Sequence, residues 1–254
     1  MRRVLILGGT AEARQLAGRL AKRDDLAVTI SLAGRTAAPV PQPVPVRSGG
    51  FGGAEGLADY LARERIDALI DATHPYAATM AANAAHAAEL AKVPLLALRR
   101  SPWFPREGDR WTEVADVSEA VAALGVAPRA VFLALGRKEI AAFAQAPQHR
   151  YLVRSVDPVE PPLAVPNANY ITGRGPFTEA DDRKLLQSNT IDVVVAKNSG
   201  GDASYAKIAA ARALGCEVIM LKRPMLPVVT SANSVTAAVG WLDHAPASGA
   251  TRGV

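Results

Sequence analysis

Arg3-Val4-Leu5-Ile6-Leu7-Gly8-Gly9-Thr10-Ala11-Glu12-Ala13-Arg14 opens on an unbroken apolar run, turns at a glycine pair and continues into a stretch where Leu16 and Leu20 stand four positions apart. A short apolar run without alternation is a strand buried on both faces, and the spacing after it is helical, so residues 1–21 form a strand, turn and helix unit of a parallel α/β sheet. Outward from this unit, residues 27–32 form a second strand. The proline-rich run Pro39-Val40-Pro41-Gln42-Pro43-Val44-Pro45 can be neither helix nor central strand and is an extended connector. The loop Ser48-Gly49-Gly50-Phe51-Gly52-Gly53 opens a helix over residues 54–64. A strand over residues 68–71 ends on Thr73-His74-Pro75-Tyr76, and an alanine-rich helix leads into a strand over residues 94–98.

A second copy of this pattern follows a break near residue 100. Val131-Phe132-Leu133-Ala134-Leu135-Gly136 matches the opening strand, each with a glutamate soon after its turn, Glu12 and Glu139. Ile66-Asp67 is matched by Ile191-Asp192, and Leu95-Leu96-Ala97-Leu98-Arg99-Arg100 by Val218-Ile219-Met220-Leu221-Lys222-Arg223. Gly8 and Ile66 are 58 positions apart, Gly136 and Ile191 55. Order and spacing predict two α/β halves of similar topology, each with a parallel sheet, and a cleft between them. The expected domains are residues 1–110 and 111–244, with a disordered tail over 245–254.

The 254 residues are 49% hydrophobic, 21% charged and 5% aromatic, enough apolar material for two cores and too few aromatics for a β-sandwich. Cys216 is single, cannot form an internal disulfide, and lies where a small buried filler is expected. Met1-Arg2-Arg3 imitates the start of a signal peptide, but the apolar run after it ends at Gly8. No run approaches the ~18 apolar residues of a membrane span. A cytoplasmic protein is expected. Twenty-nine Lys and Arg against 24 Asp and Glu leave a formal charge of +5, scattered rather than gathered into basic runs. That distribution excludes a nucleic-acid binder and fits an anionic small molecule. The four histidines have no ligand spacing, so no metal site is expected, and neither a nucleophile elbow nor a P-loop is present.

A strand ending in glycines at a helix N-terminus gathers outward-pointing N–H groups and the positive end of the helix dipole, which suits a phosphate. Gly8-Gly9-Thr10-Ala11-Glu12-Ala13 has that form, although Thr10 occupies the place of the second glycine of the dinucleotide fingerprint. At the end of the second strand, Ser31-Leu32-Ala33-Gly34-Arg35-Thr36 lacks the carboxylate that takes the ribose hydroxyls in NAD sites and offers Arg35 instead, which points to NADP. The glycines between Ser48 and Gly53 let backbone approach the same cofactor. Thr73-His74-Pro75-Tyr76 lies at the sheet edge where ligands bind. There His74 is a candidate proton donor and Tyr76 a candidate orienting group. In the second half, Lys197-Asn198-Ser199-Gly200-Gly201 with Lys207 forms a candidate carboxylate or phosphate cradle, joined by Arg137, Lys138 and Arg174 at other strand ends.

Together the runs Ile6 to Arg14, Gly34-Arg35-Thr36, Gly49 to Gly53, Asp71 to Ala77 and Lys197 to Gly201 resemble the precorrin-6A reductase family of cobalamin biosynthesis, over about residues 3 to 243. The resemblance implies two Rossmann-like domains and an NADPH-dependent reduction of one carbon–carbon double bond of a corrin precursor, giving precorrin-6B. It implies a tetrapyrrole substrate whose carboxylates need cationic partners; the proton is expected from His74, Tyr76 or water. The expected cofactor contacts are Gly8, Gly9, Thr10, Glu12, Ala13, Ser31, Gly34, Arg35, Thr36, Gly50, Phe51, Gly52 and Thr73. The expected substrate contacts are Arg137, Lys138, Arg174, Lys197, Asn198, Ser199, Gly200, Gly201 and Lys207. Transient contacts with neighbouring pathway enzymes are a further expectation. Two rival readings are the cobalt-containing version of the same reaction and a non-catalytic NADP(H)-binding redox sensor.

Overall fold

The computed structural model describes residues 1–34 and 40–245. Arg35, Thr36 and the tail from residue 246 on lie outside the described residues, so the expectations placed on them are not addressed by the fold. The chain divides into two compact units, one made of Met1–Ser101 together with the segment from Pro224 on, the other of Pro102–Arg223. No helix among the described residues is long and apolar enough to cross a membrane.

The first unit contains strands β1 (Arg2–Leu7), β2 (Leu26–Leu32), β3 (Val46–Ser48), β4 (Ala68–Asp71) and β5 (Leu95–Leu98), with helices α1 (Ala11–Leu20), α2 (Gly53–Arg63) and α3 (Ala78–Ala91) between them. The second unit contains β6 (Arg110–Val114), α4 (Val117–Ala123), β7 (Ala130–Ala134), the single-turn α5 (Arg137–Ile140), β8 (Arg150–Ser155), β9 (Ala168–Thr172), α6 (Glu179–Ser188), β10 (Val193–Lys197), α7 (Ala206–Leu214) and β11 (Glu217–Leu221). The chain then returns to the first unit as β12 (Ser231–Ala232) and α8 (Val235–His244).

All the pairings are parallel, and the two sheets run β12-β5-β4-β1-β2-β3 and β6-β11-β10-β7-β8-β9. Five strands of each sheet, counted from β1 or from β7, take the order 3-2-1-4-5 of a dinucleotide-binding sheet. The sixth position differs. The second sheet fills it with β6, the strand that precedes its first, and the first sheet with β12, which follows the whole second unit. The expected boundary at residue 110 and the assignment of residues 111–244 to one domain therefore give way to a first unit built from two chain segments. A two-residue strand carries no periodic signal, and only its pairing of Ser231 with Ala97 and Ala232 with Leu98 reveals where it belongs.

Strand alternation explains the apolar runs. In β1, Val4 and Ile6 join a core with Leu16 and Leu20 of α1 and Val235, Ala238 and Leu242 of α8. Leu5 and Leu7 point to the opposite face and pack with Leu57 and Leu61 of α2 and Ala84, Ala87 and Ala88 of α3. In the second unit Phe132, Leu152, Val194 and Met220 form one core with Leu186 of α6 and Ile208 of α7. Val131, Leu133, Val193, Val195 and Ile219 alternate with them and are fully buried. The repeat extends to the strand starts: Asp67 Oδ2 accepts from the Arg3 amide at 2.8 Å, and Asp192 Oδ2 from the Ala130 amide at 2.7 Å.

Candidate active site

In each sheet the strand order reverses direction beside its first strand, at β1/β4 and at β7/β10, and ligands of open α/β sheets bind outside the carboxyl ends of strands at that point. The sequence motifs singled out above sit there. The β1/β4 pair carries Gly8-Gly9-Thr10 and Thr73-His74; the β7/β10 pair carries Gly136-Arg137-Lys138 and Lys197-Asn198-Ser199.

In the first unit Gly8 is held by packing, since a Cβ there would come within 2.7 Å of Ile30 Cδ1. Gly9 has φ +113°, and a Cβ on it would meet nothing within 4 Å, so its backbone is open to close approach. Thr10 caps α1, its hydroxyl accepting from the Ala13 amide at 3.1 Å and donating to the Ala72 carbonyl at 2.8 Å, which ties the turn after β1 to the end of β4. Ala13 is fully buried under that turn. A carboxylate in the first helical turn competes with any bound anion, and Glu12 is offset by Arg100, whose Nη1 lies 2.7 Å from Glu12 Oε2. Arg100 matches Arg223 in the sequence repeat, and Arg223 serves the other sheet's loop by donating to the Asn198 and Ser199 carbonyls at 2.9 and 3.1 Å.

Asp71, buried at the end of β4, accepts from both the amide and the hydroxyl of Thr73, at 3.1 and 2.6 Å. The Thr73 side chain thereby fixes the loop that carries His74. His74 Nδ1 accepts from the Tyr76 amide at 3.3 Å, and the His74 carbonyl accepts from the Ala77 amide at 2.8 Å. Acceptance at Nδ1 puts the proton of the neutral ring on Nε2. The two rings stand 5.6 Å apart, inclined by 42°.

Ser31 is buried at the end of β2, and Gly34 follows with φ +69°. Beside them stands Arg47, which sequence reasoning missed. Its register partner is Ser31, and a three-residue strand behind a proline-rich connector has no periodic signature. Arg47 donates to the Gly49 and Gly50 carbonyls at 2.6 and 2.7 Å and lies 3.7 Å above the Phe51 ring. Phe51 packs edge-on against Tyr60 of α2. Gly56 lets α2 start close to this loop, since a Cβ there would fall 1.9 Å from the Phe51 carbonyl oxygen. The Gly49, Gly50 and Gly52 backbones face open space.

In the second unit Arg137 and Lys138 are exposed at the start of α5, and Arg174 is exposed after the edge strand β9. Because α5 is a single turn, positive charge here resides on side chains rather than on a helix dipole. Lys197 Nζ lies 2.6 Å from Glu139 Oε1, across β7 and β10. The Asn198 amide is committed to the backbone of Trp103, accepting from its N–H at 2.8 Å and donating to its carbonyl at 2.9 Å, and Trp103 Nε1 donates to the Gly201 carbonyl at 2.9 Å. Ser199 is buried, and Gly200 and Gly201 take left-handed φ values of +68° and +70°. Lys207 is buried too, donating to the Ser204 carbonyl at 2.5 Å with its ammonium 5.2 Å from the Trp103 ring. The structure thus joins Arg137, Lys138 and Lys197 at one strand pair, sets Arg174 two strands away, and uses Asn198 to shape its own loop.

Comparison with known proteins bears on the family. The sequence model of the family described as precorrin-6x reductase CbiJ/CobK matches residues 3–243. A precorrin-6A reductase of Sinorhizobium sp is 57% identical over 95% of this chain and 93% of its own length, and one of Rhodobacter capsulatus is 52% identical over 96% and 97%. A solved structure described as CobK precorrin-6A reductase superposes with a TM-score of 0.92 at 50% identity, covering 98% of this chain and 99% of its own. Likeness to reductases over nearly the whole chain sets aside the non-catalytic sensor. The chain belongs to the precorrin-6x reductase family, CbiJ/CobK, and is an oxidoreductase of cobalamin biosynthesis.

Proposed function

We propose that the chain reduces precorrin-6A to precorrin-6B with NADPH. The observation that carries this reading is the coincidence, at the turning point of each sheet, of an open glycine turn in the first unit and a set of cations in the second. The residues of the first unit fit a nicotinamide dinucleotide: Gly8, Gly9 and the N-terminus of α1 would hold the pyrophosphate, and Ser31, Gly34 and the loop from Gly50 to Gly52 would hold the adenosine ribose, with Arg35 and Thr36 completing that end. When bound, the cofactor supplies the hydride. The chain's own part is to position and to manage charge and proton. Arg137, Lys138 and Arg174 take carboxylates of the pigment as ion pairs, and Lys197, paired with Glu139 at 2.6 Å, takes one only by exchanging that partner. His74 would deliver the proton from its imidazolium form, in which Nδ1–H replaces the bond accepted from the Tyr76 amide and the ring is left neutral after the transfer; in the neutral form its Nε2–H can only hydrogen-bond the pigment, and Tyr76 or water is then the donor.

Incubating the purified chain anaerobically with metal-free precorrin-6A tests the reading. One NADPH should be oxidised per pigment reduced, and NADH should be used less well; no pigment-dependent oxidation would overturn it. The relatives at 57% and 52% identity are precorrin-6A reductases, which favours the metal-free substrate over its cobalt complex, and a parallel assay with the cobalt complex decides the point. His74→Ala should slow single-turnover reduction by roughly 100-fold. An unchanged rate would transfer the donor's role to Tyr76 or water.

A further inference from the structure

We propose that Arg47 contributes to this site's selection of a phosphorylated adenosine ribose, binding a 2′-phosphate with guanidinium N–H groups that its protein contacts leave open. The inference rests on the dinucleotide reading of the first unit and names a determinant within it. In a sheet of this order the adenosine ribose is read at the end of the second strand, where a carboxylate would accept its hydroxyls. That strand ends here on Ser31-Leu32-Ala33-Gly34, with no carboxylate, and its register partner on the neighbouring strand is a cation, Ser31 opposite Arg47.

The guanidinium is already oriented. Its two terminal nitrogens donate to the consecutive carbonyls of Gly49 and Gly50, Nη1 also reaches Ser31 Oγ at 3.3 Å, and its Cζ lies 3.7 Å over the Phe51 ring. Three of five N–H groups are used by these contacts, two on Nη1 and one on Nη2. Nε–H and one Nη2–H have no partner among the described residues, and an arginine binds phosphate through such N–H groups. Fixing the fork on backbone carbonyls lowers the entropy lost when an anion binds. The same bonds hold the Gly49–Phe51 loop, so one side chain couples loop shape to anion recognition.

The test is calorimetric titration of the full chain with adenosine 2′,5′-bisphosphate and with 5′-AMP, which differ only in the 2′-phosphate. The unmodified chain should bind the bisphosphate at least tenfold more tightly. Arg47→Ala should bring the ratio of the two affinities to within about threefold of unity, and Arg47→Lys, which keeps the charge but loses the fork and the stack, should give an intermediate ratio. The ratio separates anion recognition from general loosening of the loop, which weakens both ligands together. An Arg47→Ala chain with the original ratio would overturn the inference and leave the dinucleotide reading standing. An unmodified chain that binds both ligands equally would overturn the inference and the NADPH preference, and one that binds neither ligand nor NADPH would overturn the dinucleotide reading itself.

Discussion

His149 shows how one residue sets a condition on stability. Its ring is fully buried, and that burial, with the nearby Arg129 charge, pushes the imidazole below its ordinary 6.5. Nδ1 accepts from the Arg129 amide at 3.2 Å, so a protonated ring would set one N–H against another. The unfolded chain takes up a proton near 6.5 while the folded chain resists it, so stability is lost as pH falls through that value and regained above it. Urea unfolding should have a lower midpoint at about pH 5.5 than at about pH 7.5. Replacing His149 with Gln should shrink the gap, and an equal gap in the variant would remove His149 as its source. At the same scale, legibility in the sequence divided by residue type. Glycines at turns and histidine at a strand end were visible because their chemistry is local. Arg47, Arg100 and Arg223 were not, because an arginine's role is set by which carbonyl or carboxylate the fold brings to it.

At the scale of elements, the second unit depends on a buried ion pair. Arg154 on β8 makes a bidentate contact with Asp182 on α6, with side-chain exposures of 9% and 3%, and its guanidinium lies 3.8 Å over the Phe177 ring and 4.9 Å over that of Phe132. Removing one partner of such a pair leaves a buried charge without compensation, which costs more than the pair contributes. Asp182→Ala should destabilise the protein by about 3 kcal/mol or more, measured by urea unfolding; a loss under about 1 kcal/mol would show that Arg154 finds water or another acceptor. Elements also differ in how plainly they can be read. The helix over residues 11–21 and the strands over 27–32 and 68–71 were expected within a residue of where they lie, since runs buried on both faces and helical spacing declare themselves. β3 and β12 have three and two residues and are defined by their neighbours' hydrogen bonds.

At the scale of the whole molecule, the first unit is closed by chain that follows the second. α8 contributes Val235, Ala238 and Leu242 to the core behind β1, β2 and β4, and β12 pairs with the edge of β5. Arg2 Nη1 donates to the Leu242 carbonyl at 2.6 Å, and Arg19 Nη1 to Thr236 Oγ1 at 2.9 Å, fastening α8 to the opening segment. Ending the chain after Arg223 should therefore damage the first unit although its first 101 residues stay intact. Hydrogen exchange should accelerate in β1 and β4 while β7 and β10 remain protected. Unchanged protection in β1 would mean that residues 1–101 suffice for a closed core.

The amino-acid sequence determined the class of fold, the repetition of its plan and the loops that stand at the strands' carboxyl ends, because apolar periodicity, glycine turns and the matched pairs Ile66-Asp67 and Ile191-Asp192 are properties of short stretches. Only the tertiary structure decided which segment fills the sixth position of each sheet and which arginine answers which loop. Those outcomes depend on hydrogen bonds and ion pairs between residues up to 240 positions apart, as between Arg2 and Leu242, and no local pattern encodes a contact at that separation.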